Sequence, residues 1–261
     1  MGRYRVGLME KAAASGVIAE TLSRLVGIVY PPTCMGCGIL VRRPGGLCAK
    51  CWSGLRHIEP PVCPVLGIPF GHQVEEGTLS LAAMAKPPAF TRARAAVLYD
   101  EVAKLLVHRL KYNDRAELAL PMAGWMMRAA GEFIADCDRV IAVPLHRRRL
   151  LTRRYNQSAE LARALARLSG KPLDAESLVR RRATLQQVGL GQKARERNVR
   201  GAFSVPEARR GEILGARIAL IDDVYTTGAT VNAAARALLR AGAADVSVVT
   251  FARVEEPDRI G

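Results

Sequence analysis

The stretch IALIDDVYTTGAT, Ile218 to Thr230, joins a short apolar run to a pair of acids, a hydroxyl-rich segment and a glycine. The apolar run predicts a buried strand, and Asp222 and Asp223 follow where that strand ends. The residues after them lead directly into a helical pattern, and Gly228 permits the tight turn between the two. We therefore expect a strand, an acid pair, a loop and a helix in the order typical of an α/β ligand site.

The chemistry of this stretch favours a sugar phosphate. Backbone N–H groups at the start of a helix, together with the hydroxyls of Thr226, Thr227 and Thr230, suit a phosphate group. Two carboxylates a few residues away suit the hydroxyls of a ribose 5-phosphate. The Gly-Lys-Ser/Thr of a P-loop is missing from the stretch, and one glycine is too few for a dinucleotide fingerprint. The structural alternative is an acid pair that caps a helix and threonines that fill a turn.

The chain from Ala93 onward alternates apolar runs with helical patterns. Apolar runs predict strands at 93–100, 139–144, 218–223 and 246–252, and apolar residues at helical spacing predict helices at 101–112, 116–134, 156–168 and 229–241. Such alternation is typical of an α/β fold in which helices flank a parallel sheet. Ligands of these folds bind beyond the carboxyl ends of the strands, where the loops after IAVP and IALI should lie.

Four of the six cysteines form the pattern Cys34-x2-Cys37-x10-Cys48-x2-Cys51. In a reducing compartment this spacing indicates a metal site rather than disulfides, because each Cys-x2-Cys turn can direct two thiolates at one tetrahedral zinc. Free thiols are the alternative. With sulfur at all four corners no position is open for a reacting water, so the predicted Zn²⁺ is structural.

Positive charge is concentrated in one part of the sequence. The formal net charge is +15, and residues 139–217 contain 19 Lys and Arg against six Asp and Glu. A local excess of this size indicates an anionic ligand, either a phosphorylated small molecule or nucleic acid. The alternative is a set of helix faces whose arginines contact only water.

Composition divides the chain into four predicted segments. These are an amphipathic helix in residues 1–30, the cysteine module in 31–60, an irregular Pro- and Gly-rich linker in 61–90 and the α/β domain in 91–255. Charged residues interrupt the apolar part of the first segment, which fits neither a signal peptide nor a membrane span. We expect a cytoplasmic protein without membrane insertion.

The stretch from Ile218 to Thr230 resembles the phosphoribosyl-pyrophosphate (PRPP) signature of type I phosphoribosyltransferases. Three further segments resemble the ComF family, also called ComFC or competence protein F. They are LKY at 110–112, VPLHRRRLLTRRYNQS at 143–158 and TLQQVGLGQKARERNVRGAF at 184–203. The resemblance covers nearly the whole chain and identifies the cysteine module as an N-terminal zinc ribbon.

The resemblance implies a role for each matching residue. The acid pair, Asp222 and Asp223, would hold the ribose hydroxyls. The 5-phosphate would contact the loop and the first helical turn, namely Thr226, Thr227, Gly228, Ala229 and Thr230. The loop at the end of IAVP, which begins at Pro144 and Leu145 and includes Arg147, would face the pyrophosphate. Arg195 would lie in a mobile loop that closes over the ligand, and Lys111 would add positive charge.

The implied activity is binding of PRPP with Mg²⁺ and transfer of phosphoribose, a glycosyltransferase reaction, to an unknown acceptor during DNA uptake in natural transformation. The alternative is an accessory protein that binds PRPP or single-stranded DNA without turnover, alongside the DNA-uptake machinery. ComF sequences often carry a second set of four cysteines after the first. Only Cys63 remains here, so we predict one zinc.

Overall fold

The computed structural model describes residues 31–112, 116–146, 156–182 and 192–255. The chain divides into two compact units, one ending at Trp52 and the other beginning at Ser53. The first unit contains the four-cysteine pattern, and the second contains the predicted α/β domain.

The larger unit alternates strands and helices over its described residues. Its strands are β1 (Arg92–Leu98), β2 (Arg139–Ala142), β3 (Leu173–Asp174), β4 (Val179–Arg180), β5 (Phe203–Ser204), β6 (Arg217–Tyr225) and β7 (Asp245–Arg253). Helix α1 (Ala49–Ser53) contains the last cysteine of the four-cysteine pattern. The helices of the larger unit are α2 (Leu81–Ala85), α3 (Glu101–Tyr112), α4 (Ala119–Ala135), α5 (Gln157–Ser169), α6 (Gln192–Val199), α7 (Arg210–Ile213) and α8 (Ala229–Arg240). Short 3-10 turns lie at Ala116–Leu118 and Glu207–Arg209.

Five of these strands form one parallel sheet in the order β1-β7-β6-β2-β3. The central strand is β6, whose residues Ile218 to Ile221 are completely buried. It pairs with β7 along its whole length and with β2 from Arg139 to Ala142. The prediction of a parallel sheet flanked by helices, with a small N-terminal four-cysteine module, is therefore confirmed.

Helix α8 follows the central strand and packs against the sheet through small side chains. Ala234, Ala235 and Leu238 are all completely buried on its inner face. Alanines allow the helix to lie close to the sheet, which places the N-terminus of α8 next to the end of β6. The turn after α8 contains Gly242 with φ 101°, close to the predicted helix end.

A second, two-stranded antiparallel sheet was not expected from the sequence. In it β4 pairs with β5, with Val179 opposite Ser204. Two residues per strand are too few to show the alternation by which strands are predicted. Among the residues described, the structure contains no helix that is both long and apolar enough to span a bilayer.

Two turns with the same hydrogen bonds follow each other along the chain, one in each unit. In the first, Cys34 N donates to Ile39 O (2.7 Å) and Gly38 N to Cys34 O (3.0 Å). Twenty-nine residues later, Cys63 N donates to Ile68 O (2.8 Å) and Gly67 N to Cys63 O (2.8 Å). Residues 61–90, for which the sequence predicts an irregular linker, thus contain an ordered turn that repeats the first cysteine knuckle.

Candidate functional site

The site lies where two neighbouring parallel strands end. Val143 N, just after β2, donates to Ile221 O of β6 (2.8 Å). Pro144 and Leu145 therefore begin their loop beside Asp222, the next residue of β6, and both are half-buried. The structure thus brings together the two loops that the sequence places at the ligand edge of the sheet.

The acid pair is held by contacts from two helices. Asp222 is buried, and its Oδ1 accepts hydrogen bonds from Ser158 Oγ (2.8 Å) and from the backbone N of Asp223 (3.0 Å). Asp223 Oδ2 lies 2.7 Å from Lys111 Nζ, at the C-terminal end of α3. Lys111, singled out in the sequence only as added positive charge, is thus the direct partner of the second acid.

Burial governs the protonation of this pair. Loss of hydration raises the pKa of Asp222 to about 7, and the Asp223 carboxylate adds to the rise. The hydrogen bonds to Asp222 and the charge of Lys111 oppose it. The pKa of Lys111 is raised although burial works in the other direction, because Asp223 favours the charged amine. Near neutral pH the site therefore holds a carboxyl group that gains or loses a proton readily.

Ser158 reaches Asp222 because Asn156 fixes the start of α5. Asn156 is the N-cap, and its Oδ1 accepts from Ser158 N (3.2 Å). Its Nδ2 donates to Val143 O (3.0 Å), which ties the helix start to the loop after β2. The sequence alone predicted no role for these two residues. Both lie in YNQS, the last four residues of the segment 143–158 that resembles the ComF family, and this resemblance was the available indication of a role.

The phosphate loop, Thr226–Gly228, connects β6 to α8. Gly228 is in the left-handed region (φ 70°), and a Cβ there would lie 2.3 Å from Tyr225 Oη. Only glycine fits this position without displacing the tyrosine. Thr227 Oγ1 is buried and has no hydrogen-bond partner among the described residues. A phosphate oxygen would supply the missing acceptor, so the loop fits the ligand that the sequence predicts.

The remaining predicted site residues differ in how far the structure describes them. Ala229 and Thr230 form the first turn of α8, at the position where backbone N–H groups point outward from a helix. Arg195 lies within α6. Arg147 lies outside the described residues.

The four cysteines of the first unit form a metal centre. Their sulfurs all lie within 4.8 Å of one another, and Cys37 Sγ is 3.6 Å from Cys48 Sγ. Zinc–sulfur bonds of about 2.3 Å in a tetrahedron place the sulfurs roughly 3.8 Å apart, so the cluster fits a zinc ion. Gly36 is required between the first two ligands, because a Cβ there would lie 2.8 Å from Cys51 Sγ.

The thiols of this centre differ in acidity. Burial opposes ionisation of Cys34, but backbone N–H groups from Cys48, Cys37 and Gly36 outweigh it and lower its pKa to about 6. Burial and the neighbouring thiols raise the pKa of Cys51 to about 12. Four thiolates this close repel one another, so full ionisation requires a bound cation, and Zn²⁺ with its preference for sulfur fits this role.

The parallel sheet with its flanking helices and the four-thiol centre define an α/β protein with an N-terminal zinc ribbon. The family model of the double zinc ribbon domain matches residues 25–83. A DNA utilization protein, YhgH of Salmonella typhi, is 33% identical over 87% of this chain and 99% of its own. Competence protein ComFC of Bacillus subtilis is 30% identical over 79% of this chain and 84% of its own.

A solved structure, the allosteric regulatory enzyme of purine biosynthesis, aligns with 54% of this chain and 29% of its own at 25% identity and a TM-score of 0.37. This superposition is too partial to add to the fold assignment. The chain belongs to the ComF family, as the extent of its identity to YhgH and ComFC establishes. The resemblance noted in the sequence is therefore confirmed.

The double-ribbon match covers both of the repeated turns. Cys34 Sγ accepts from Cys48 N (3.2 Å), and Cys63 Sγ accepts in the same way from Ser80 N (3.4 Å). By this correspondence the positions of Cys37, Cys48 and Cys51 are occupied in the second turn by Leu66, Ser80 and Ala83, in that order. The side chains at these three positions offer no thiolate. One zinc per chain therefore stays the prediction.

We expect the variant Cys34→Ser/Cys37→Ser to lose its zinc, because the hydroxyl is a poor substitute for a thiolate ligand. Metal content measured on the purified protein should fall from about one zinc per chain to nearly none. The matched control is Cys63→Ser, which changes the corresponding cysteine of the second turn and should keep its zinc. Stoichiometric zinc in the double variant, or loss in the control, contradicts the ligand assignment.

We expect Asp222→Asn to stabilise the protein in a pH-dependent way. Because the folded-state pKa lies above the unfolded value, the folded state binds more protons between about pH 4 and pH 7, and the free energy of unfolding falls as the pH rises through this range. The amide of the variant does not ionise, so the variant avoids this fall in the free energy of unfolding, and the amide oxygen can still accept the hydrogen bond from Ser158. The variant should exceed wild type by on the order of 2 kcal/mol at pH 8 and by much less at pH 5.

Urea denaturation at the two pH values measures this difference. The exposed carboxylate of Glu207 provides the control, since Glu207→Gln should change the free energy of unfolding by less than about 0.5 kcal/mol at either pH. An equal effect of Asp222→Asn at pH 5 and pH 8 is incompatible with a buried carboxyl that titrates near neutrality.

Proposed function

We propose that this protein binds PRPP, or a related ribose 5-phosphate, at the carboxyl edge of β2 and β6 and acts in DNA uptake. The observation that carries the proposal is a buried acid, Asp222, next to a loop in which Thr227 has an unsatisfied hydroxyl. A buried polar group without a partner costs about 1–3 kcal/mol, and a bound phosphate offsets that cost.

Each part of the site has one task in the proposed complex. The loop Thr226–Gly228 and the N-terminus of α8 receive the 5-phosphate, and the carboxylates of Asp222 and Asp223 accept hydrogen bonds from the ribose hydroxyls. The loop that begins at Pro144 faces the pyrophosphate. Lys111 balances the acid pair in the free protein, which is why two carboxylates can lie side by side there.

In the proposed reaction the bond between ribose C1 and the pyrophosphate oxygen breaks, and the acceptor forms the new bond to C1. The pyrophosphate leaves with the electron pair, and positive charge develops on the ring. Ionised Asp222 and Asp223 favour this charge because they lie in a water-poor site. Mg²⁺ bound with the pyrophosphate would supply neutralisation of the leaving group. Proton uptake by Asp222 below neutral pH would weaken this stabilisation.

The proposed place of this activity in DNA uptake is supported by the relatives. One is named a DNA utilization protein and another a competence protein, and each aligns over most of this chain. The local excess of Lys and Arg in residues 139–217 fits work on a polyanion.

The second candidate is an accessory protein that binds single-stranded DNA or PRPP without turnover. The observation that favours it is a group of exposed arginines that follow β4 or lie in and just after α6: Arg181, Arg182, Arg197 and Arg200. These side chains suit the phosphates of a DNA backbone. Phe203 of β5, the strand that pairs with β4, is buried, so it offers no surface on which a base could stack.

Calorimetric titration of the purified protein with PRPP and Mg²⁺ tests the first candidate. We expect wild type to bind and the variant Asp222→Asn/Asp223→Asn to lose at least about tenfold in affinity, because two charge-assisted hydrogen bonds to the ribose become neutral ones. Circular dichroism and zinc content serve as the check that the variant is folded. A folded wild-type protein that gives no heat with PRPP removes the sugar-phosphate proposal.

The same double variant separates the two candidates. Under the enzyme hypothesis it should lose transformation in a naturally transformable host and retain its affinity for single-stranded DNA. Replacing Arg181 and Arg200 with Gln should instead weaken DNA binding and reduce its dependence on salt, with little effect on PRPP. Full transformation by the acid variant would point to DNA binding without phosphoribosyl transfer.

A further inference from the structure

We propose that residues 61–90 hold the phosphate loop, Thr226–Gly228, in its binding conformation through three positioning residues, Tyr225, Asn232 and Arg253. This inference rests on the proposed function, because it concerns the 5-phosphate part of the same site. It gives the second turn, which lacks three of the four cysteines of the first, a role in ligand binding.

The most direct link is Asn232, in the first turn and a half of α8. Its Nδ2 donates to Gly228 O (3.0 Å), and its Oδ1 accepts from Ala89 N (2.8 Å). One amide side chain therefore joins the last residue of the loop to the end of the 61–90 segment. Both of its polar atoms are used, so the orientation of the amide is determined by its two partners.

The second link is an aromatic contact beneath the loop. Tyr225 is buried, and its ring meets Phe90 edge to face at a centroid distance of 6.3 Å. The phenol lies so close to Gly228 that no Cβ fits between them. Tyr225 thus contacts both Phe90, through its ring, and the loop, through its phenol.

The third link comes from the last residue of β7. The guanidinium of Arg253 lies over the Tyr225 ring, 4.9 Å from its centroid, and its Nη1 donates to Leu66 O in the second turn. Arg253 is 5% exposed, so this is a charged group withdrawn from water and held by its contacts. Leu66 is the residue of the second turn that corresponds to the ligand Cys37 of the first.

Ordering of the loop has a direct effect on affinity. A segment that contains glycine in the left-handed region has many alternative conformations, and fixing them on binding reduces affinity. Three contacts from residues 61–90 restrict the loop before the ligand arrives. The pyrophosphate side of the site, at the loop after β2, has none of these contacts among the described residues.

The test compares Asn232→Ala and Phe90→Leu with Arg236→Gln, an exposed substitution on the same helix. Hydrogen exchange of peptides covering residues 225–232 reports the order of the loop without any ligand. Calorimetry with ribose 5-phosphate, and separately with pyrophosphate and Mg²⁺, reports the two halves of the site. We expect both loop variants to exchange about tenfold faster and to bind ribose 5-phosphate about tenfold more weakly. Their affinity for pyrophosphate should stay within about twofold, and Arg236→Gln should match wild type throughout.

Unchanged exchange in both loop variants overturns the proposal. Faster exchange with unchanged affinity for ribose 5-phosphate also overturns it, because the order of the loop would then have no effect on binding. An equal loss for both ligands indicates general destabilisation and likewise counts against a positioning role. If wild type binds neither ligand, the proposed function fails by itself, and the exchange data alone decide whether residues 61–90 order the loop.

Discussion

A carboxyl group buried at the end of the central strand is the feature on which the rest of the site depends. Asp222 lies in the C-terminal half of β6, directly after four completely buried residues, and it is itself only 8% exposed. An isolated carboxylate in that position would be strongly unfavourable, so the surrounding structure must supply donors and a nearby positive charge. Ser158 and Lys111 supply them, and each comes from the end of a helix.

The same requirement explains why the two loops converge. Asn156 ties the start of α5 to Val143, and through Ser158 the same helix reaches Asp222. The loop after β2 and Asp222 of β6 are therefore positioned by one helix N-terminus. A ligand that spans both loops therefore contacts a surface whose two halves are held in a fixed relative position by hydrogen bonds.

The sequence predicts those parts of the fold that repeat locally and those parts of the site that lie within one short segment. The helix over Glu101–Tyr112 has the predicted bounds, because its apolar residues recur at helical spacing. The acid pair and the phosphate loop were recognisable because they are consecutive. Contacts such as Ser158 to Asp222, 64 residues apart, and Ala89 to Asn232, 143 residues apart, leave no pattern in the local sequence. Residues 61–90 were predicted as an irregular linker because only one of the four cysteines, Cys63, recurs there, although Gly67 and Ile68 also repeat Gly38 and Ile39 of the first turn.

The two turns show how the same backbone can be stabilised in different ways. In the described part of the first unit the buried side chains are Cys34, Met35 and Cys51, which form too small a core to hold a turn without metal. In the second turn Leu66 and Ala83 are buried with Phe90 in the core of the larger unit. Cys63 still accepts N–H groups there, and although burial opposes it, these donors lower its pKa. Once burial stabilises the turn, its side chains no longer need to bind a metal, and the backbone carbonyl of Leu66 accepts from Arg253.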